Sequence, residues 1–363
     1  VNARVLAVRL DSDGDVLLTG PAVRALAAVH GRVDLLVSAQ GQQAARLLPG
    51  VMDVLRFDAP WSGYAPPAFD GAAVTALVDT LRRRDYDEVV VFTSFHQSPL
   101  PMALLARLAG VPRVAATSED YPGALLDVRH RRPDGLHEVV AALYRVRAAG
   151  AVLPPGDDGR LALRRPLPPP PELPRAPFVV VHPGASVPAR APRPDDARAY
   201  VTALADAGWD VVVTGGPGER ELAALVAGGS PRAVDLAGRT SLAELAAVLD
   251  AAACVVVGNT GPAHLAAAVG TPVVSLFAPV VPADRWAPYG VPSVLLGDQE
   301  TACRGTRARE CPVAGHPCLA SVTPAQVLDA VAHLTGCERT FGPFSGPAPG
   351  QKSAHSKPTG VVA

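Results

Sequence analysis

Short β-branched apolar runs alternate with longer Ala- and Leu-rich amphipathic runs along almost the whole chain, and one dense proline stretch interrupts that rhythm near the middle. Apolar runs at 5–10, 33–37, 88–93 and 113–116 predict buried strands, with helical patterns at 21–30, 40–48, 71–84, 99–108 and 137–148. The connections are short, as parallel strands joined through crossover helices require. The stretch 164–174 reads Arg-Arg-Pro-Leu-Pro-Pro-Pro-Pro-Glu-Leu-Pro. Proline lacks the N–H that a helix or central strand needs, so this stretch predicts an extended, semi-rigid linker. The alternation then restarts, with strands at 178–181, 210–214, 233–236, 254–257 and 273–277 and helices at 195–207, 219–227, 242–252 and 263–269. Thr323 as N-cap and Pro324 at the first helical position start a last helix. From Phe341 the chain is Gly/Pro/Ser-rich without periodicity, which predicts disorder. The expected architecture is α/β: two doubly wound Rossmann-like domains at 1–163 and 177–322 that face a central cleft. A linker at 164–176, a closing helix at 323–338 and a disordered tail at 339–363 complete it.

Composition removes several function classes. A net charge of −1 gives no field for a nucleic acid or an anionic membrane, so neither is an expected partner. No apolar run approaches the ~18 residues of a membrane span, so no transmembrane segment is expected. Residues 1–8 read as a short strand rather than a secretory leader, which leads to a cytoplasmic expectation. Lys352 and Lys357 are the only lysines among 33 basic residues, and such a bias towards Arg makes Arg content less informative about function. Of five cysteines, Cys254 sits in a strand run, while Cys303, Cys311 and Cys318 surround His316 without any C-x-x-C pair. Loop thiols rather than a metal site are expected there.

Glycine marks the carboxyl ends of four strands in the second half, at Gly184, Gly215–Gly218, Gly238 and Gly258–Gly261. Open α/β sheets bind ligands at those ends. The sharpest segment is Gly258-Asn259-Thr260-Gly261-Pro262-Ala263-His264-Leu265, which joins a buried strand to a helix. Pro262 fits the start of that helix, whose free N–H groups form an anion site suited to a diphosphate. The same octapeptide also fits an ordinary βα turn. No G-x-G-x-x-G follows the first strand and no G-x-x-x-x-G-K-[ST] occurs, which disfavours a dehydrogenase and a P-loop NTPase. In the first half, Asp11-Ser12-Asp13-Gly14-Asp15 follows the first strand. An EF-hand is excluded, because positions six and twelve are Val16 and Ala22 instead of Gly and Glu. A carboxylate here serves either as a general base at the cleft or as a cap on the following helix.

Together these segments resemble glycosyltransferase family 9, the heptosyltransferases, over most of residues 4–335. The marks are Arg9–Val16, His182-Pro183-Gly184-Ala185-Ser186, Gly258–Leu265, Leu276-Phe277-Ala278-Pro279 with Trp286-Ala287-Pro288, and His137-Glu138-Val139. Glu310-Cys311-Pro312 and Pro317-Cys318-Leu319 fit as well. The resemblance implies a GT-B, metal-independent, inverting enzyme that moves a sugar from a nucleotide diphosphate to a hydroxyl. It uses no cofactor beyond its donor, for which ADP is the family default and GDP or UDP stay open. It places the catalytic base on Asp15, with Asp13 as competitor. Donor phosphate contacts fall on Ser186, Arg190, Asn259, Thr260, Gly261 and His264, and nucleoside contacts on Gly216, Glu219, Arg239 and Thr240. The chain departs from the family pattern with Asn at 259 for a frequent Asp, no Trp around Pro192, and Thr306 in place of a frequent Cys. His96 and Tyr121 are weaker acceptor candidates. Their segments, 93–97 and 119–121, are polar and aromatic without a broad basic patch, which leans towards a small or neutral acceptor. A cell-envelope glycan, a lipid-linked acceptor or a natural product all fit. A sugar-nucleotide 2-epimerase and a non-catalytic sugar-nucleotide-binding protein are the rival readings.

Overall fold

A computed structural model describes residues 3–336 apart from Tyr64 and Ala176; the expected tail at 339–363 and the end of the closing helix lie outside the described residues. In the first half, β1 (Arg4–Arg9), α1 (Asp13–His30), β2 (Arg32–Val37), α2 (Gln42–Leu47), β3 (Val51–Arg56) and α3 (Gly71–Arg84) come first. They are followed by β4 (Glu88–Val91), α4 (Leu100–Leu108), β5 (Arg113–Thr117), β6 (Val128–His130) and α5 (Glu138–Ala148). The second half begins with β7 (Phe178–His182), α6 (Pro194–Asp206), β8 (Asp210–Val213), α7 (Arg220–Ala227), β9 (Ala233–Asp235) and α8 (Leu242–Ala251). It continues through β10 (Cys254–Gly258), α9 (Gly261–Val269), β11 (Val273–Leu276), α10 (Ala283–Trp286), β12 (Ser293–Leu296), α11 (Pro317–Ala320) and α12 (Pro324–Thr335).

The strands form two all-parallel six-stranded sheets, ordered β3-β2-β1-β4-β5-β6 and β12-β11-β10-β7-β8-β9. Central strands such as β7 and β10 are buried along their whole length, which is why they read as continuous apolar runs. Helices cover both faces. One apolar core runs through α1, α2 and α5 of the first half into α8 and α9 of the second, so the two sheets share an interior layer. Separate outer cores lie under α3 and α4 on one side and under α6, α7 and α12 on the other. The helix α12 packs on α6 and on the β10–β12 side of the second sheet.

Two local differences from the sequence reading have clear causes. The first helix begins at Asp13, not at Pro21, and contains that proline. Burial of Val16, Leu17 and Leu18 between sheet and neighbouring helices outweighs the lost hydrogen bond. Three of the four edge strands, β3, β6 and β12, were not anticipated. They carry mixed, half-exposed residues and so lack the apolar run that marks an interior strand. The proline-rich segment contains no helix or strand among its described residues. It is tied to the first half where the Arg164 amide donates to the Leu47 carbonyl at 2.8 Å, and to α8 through the Arg165–Asp250 ion pair at 2.6 Å. None of the described helices is long and apolar enough to cross a membrane.

Candidate active site

Strand order reverses between β1 and β4 in one sheet and between β7 and β10 in the other. Such switch points leave a crevice at the carboxyl ends of the strands. Segments from this end of the two sheets line one cleft of about 530 Å³, with Asp15, Ser94 and His96 from the first half and Ser186, Arg190, Trp286, Arg307 and Arg309 from the second.

On the first side, Arg9 ends β1 inside the protein, only 3 % exposed. Its Nη2 donates to Asp15 Oδ1 at 2.9 Å and to Ser94 Oγ at 2.8 Å. Its Nε lies 2.8 Å from Asp11 Oδ2, close as an ion pair but misaligned as a hydrogen bond. Ser12 Oγ donates to the other Asp15 oxygen at 3.2 Å, and Gln97 Nε2 to Asp11 at 2.6 Å. Asp15, in the first turn of α1, is therefore oriented from two directions while staying open to the cleft. Burial raises the Asp11 carboxyl above its usual range even against the pull of Arg9.

On the second side, Gly258 ends β10 against the loop that carries Arg190. A Cβ at 258 would stand 2.5 Å from the Arg190 carbonyl oxygen, so only glycine lets the two loops meet. Thr260 caps α9 in an extended conformation and makes no side-chain bond to the helix. The first amides of α9 have no partner within the helix and carry the positive end of its dipole. His264, one turn in, is buried, and its Nδ1 has no partner among the described residues. Burial pushes its pKa down to about 4, so the ring is neutral at pH 7. The N-termini of α1 and α9 abut: a Cβ at Gly14 would lie 3.1 Å from His264 Cδ2 and 3.2 Å from Gly261 Cα. Farther along the second sheet, the Glu219 carboxylate lies over Gly184 and accepts from the Gly216 amide at 2.6 Å. Arg239 and Thr240 follow β9 on the same end of the sheet, where Arg239 donates to the Asp235 carbonyl at 3.3 Å.

The sequence pattern of glycosyltransferase family 9 (heptosyltransferase) matches residues 74–316, more than half of the 363. The chain belongs to glycosyltransferase family 9. It is accordingly a glycosyltransferase. A search of curated proteins finds no significant match. Among solved structures, the chain is similar to the glycosyl transferase family 9 protein from Veillonella parvula DSM 2008. That pair is 17 % identical with a TM-score of 0.72, over 92 % of this chain and 97 % of that one. It is similar to E. coli heptosyltransferase WaaC with ADP-2-deoxy-2-fluoro heptose, 23 % identical with a TM-score of 0.68, over 91 % and 99 %. It is also similar to the iron-containing dodecameric glycosyltransferase TibC from enterotoxigenic E. coli H10407, 17 % identical with a TM-score of 0.53, over 92 % and 76 %. These likenesses establish the GT-B fold of two facing Rossmann-like halves.

Within this family 9 fold, Asp15, His96, Ser186 and Arg190 line the cleft, while Gly261 and His264 lie against Gly14 next to Asp15 and Thr260 caps their helix. Other candidates fall elsewhere. Asp13 turns away from the cleft and accepts from the Ala44 amide at 3.0 Å, and burial raises its pKa to about 6. Tyr121 is 85 % exposed on the outer surface. The Asn259 side chain bridges back to Ala278, donating to its carbonyl and accepting from its amide at 3.3 Å each, and so braces the loop. No group of three His, Cys, Asp or Glu among the described residues is arranged to hold a metal ion. Sequence reasoning missed Arg9, Asp11, Arg307 and Arg309. For the first two a signal existed, an Arg followed by acids at the end of an apolar strand.

Proposed function

We propose that this family 9 enzyme moves a heptose or hexose from a nucleotide diphosphate sugar, ADP-heptose-like, to a hydroxyl of a cell-envelope glycan, lipid-linked acceptor or natural product. The observation that carries the reading is one oriented carboxylate, Asp15, that lines the cleft beside the point where the N-termini of α1 and α9 meet. The donor diphosphate rests on the amides of Gly261–His264, with Thr260 and His264 as side-chain contacts. Arg190, together with Arg307 and Arg309, supplies charge-assisted donors to the phosphates, and Ser186 adds a hydroxyl. These groups neutralise the nucleoside diphosphate as it leaves, so the chemistry runs without a metal or other cofactor. Glu219 accepts from the ribose and Gly216, Arg239 and Thr240 border the base. Asp15 takes the proton from the acceptor hydroxyl, which attacks the anomeric carbon from the face opposite the leaving group and inverts it. The ADP-sugar analogue in the similar E. coli structure makes ADP the first nucleotide to try.

Calorimetric titration with ADP, GDP and UDP, with and without magnesium, tests the donor half. Binding of one of them, unchanged by magnesium, supports it; no binding by any overturns it. Product NMR with the ADP-sugar then reads the anomeric configuration, and retention would overturn the role of Asp15.

A further inference from the structure

The motif His137-Glu138-Val139 takes no part in the chemistry proposed above, yet it makes one of the contacts by which the two halves meet. Helix α5 of the first half buries Glu138, Val139, Arg145 and Val146. His137 stands at its N-cap, where its Nδ1 accepts from the Val139 amide at 3.2 Å. Burial holds the His137 pKa below its ordinary 6.5, so the ring is neutral at pH 7. A neutral imidazole that accepts on one nitrogen carries its proton on the other. Nε2 therefore donates, and its acceptor is the Ala287 carbonyl of the second half at 2.9 Å. The ring also lies against Tyr289, with centroids 4.7 Å apart and planes inclined by 31°. Arg132 fixes the backbone on either side of the ring, donating to the Leu136 carbonyl at 2.6 Å and to Glu138 Oε1 at 2.7 Å. Ala287 and Tyr289 follow α10 directly, and the last residue of α10 is Trp286, part of the cleft wall. The Trp286 ring is 5.9 Å from that of Phe95 in the first half, over which Arg285 stacks at 4.5 Å. Gly290 passes so near Arg160 that a Cβ there would stand 2.9 Å from Arg160 Cγ. The segment 285–290 of the second half thus leans on the first half along its length. Ring and alkyl contacts tolerate sliding, whereas a hydrogen bond is directional, so the His137 bond is the contact that fixes the register.

We propose that His137 is a positioning residue for the transfer reaction: by holding the Ala287 carbonyl it sets Trp286 in the cleft wall. The inference rests on the glycosyltransferase reading of the cleft and adds that part of the second half's wall is placed from the first half. The cleft is complete only while the two halves are in register, so turnover depends on a side chain that touches no substrate.

The test is hydrogen–deuterium exchange of the full chain, read by mass spectrometry, in two amide variants that divide the roles of the ring. Asparagine is a good N-cap whose side-chain oxygen replaces Nδ1, but it is too short to reach Ala287. Glutamine puts an N–H donor near the place of Nε2 and caps poorly. His137→Asn is expected to speed exchange over 283–291 about three- to tenfold, the worth of one hydrogen bond, and to leave α5 unchanged. His137→Gln is expected to do the reverse, with protection kept over 283–291 and faster exchange in the first turn of α5. Exchange in α3 and α12, which belong to the separate outer cores, should match wild type in both variants. Wild-type exchange over 283–291 in His137→Asn overturns the proposal. So does equal loss of protection there in both variants, or faster exchange throughout the chain, which would make His137 a residue of stability alone. Saturating ADP is expected to slow exchange over 283–291 in wild type and in His137→Gln more than in His137→Asn. If ADP changes nothing while the two variants still part, the donor reading falls and the placement of Trp286 by His137 stands.

Discussion

Replacing Arg9 with Gln isolates the group that orients the proposed base. Arg9 stands 2.8 Å from Asp11 and 2.9 Å from Asp15, with side-chain exposures of 4 % for Arg9 and 10 % for Asp11. Removing one partner of a buried pair leaves an uncompensated charge and costs about 3–5 kcal/mol. At roughly 2–4 °C per kcal/mol for a domain of 150–250 residues, the melting midpoint should fall by about 10 °C. The pH dependence fixes the cause. Burial already raises the Asp11 carboxyl in the folded state, and loss of Arg9 raises it further. A folded carboxyl that binds its proton more tightly than the unfolded one, at about 3.9, loses stability as pH rises between the two values. The gap to wild type should therefore be full at pH 8 and narrow towards pH 5. Asp11→Asn in the Arg9→Gln background should restore part of the midpoint at pH 8. Differential scanning fluorimetry across pH measures all three chains. An Arg9→Gln midpoint equal to wild type at pH 8, or a deficit independent of pH, would refute the buried-pair account.

Other consequences follow from the same geometry. Asp15→Asn should cut turnover about 10²- to 10⁴-fold while ADP affinity stays within twofold, a split that steady-state rates and calorimetry can read. Arg190→Ala should weaken ADP binding about ten- to a hundredfold through loss of a charge-assisted contact, and unchanged affinity would count against its phosphate role. Gly258→Ala places a methyl group 2.5 Å from the Arg190 carbonyl oxygen, so it should lower both the melting midpoint and donor affinity, in contrast to an exposed Gly→Ala change. The His264 pKa is depressed to about 4 from an ordinary 6.5, so its contribution to stability is complete above pH 6.5 and lost as pH falls towards 4. His264→Gln should flatten the melting midpoint over that window.

Where one local signal dominated, the sequence was readable. Helix α3 has the bounds 71–84 that were expected, because Asp70 caps it by accepting from the Ala72 and Ala73 amides and its apolar residues keep a helical period. The turn at Gly258–His264 was legible for the same reason, since glycine, proline and a buried strand all bear on one short segment. Arg145 was not legible. On an amphipathic helix an arginine reads as a solvent-facing residue, and only the tertiary packing of α5, chiefly against α1 and also against β5 and β6, buries it. Arg307 and Arg309 were missed because they reach the cleft from more than a hundred residues away, a distance that no local pattern spans. Asn259 could not be placed so finely: its position in the turn suggested a ligand contact, and its bonds to Ala278 also tie it to the scaffold.

The apolar layer common to α1 and α9 has an evolutionary consequence. Enzymes made of an acceptor half and a donor half invite recombination, in which a new acceptor half is spliced to an old donor half at the linker. Here such a graft would cut through an interior rather than between two finished surfaces. Any incoming half must present a glycine where Gly14 meets Gly261 and His264, and side chains that complete the neighbour's core. Acceptor range in this lineage should therefore diversify by substitution around the cleft, with whole halves seldom exchanged.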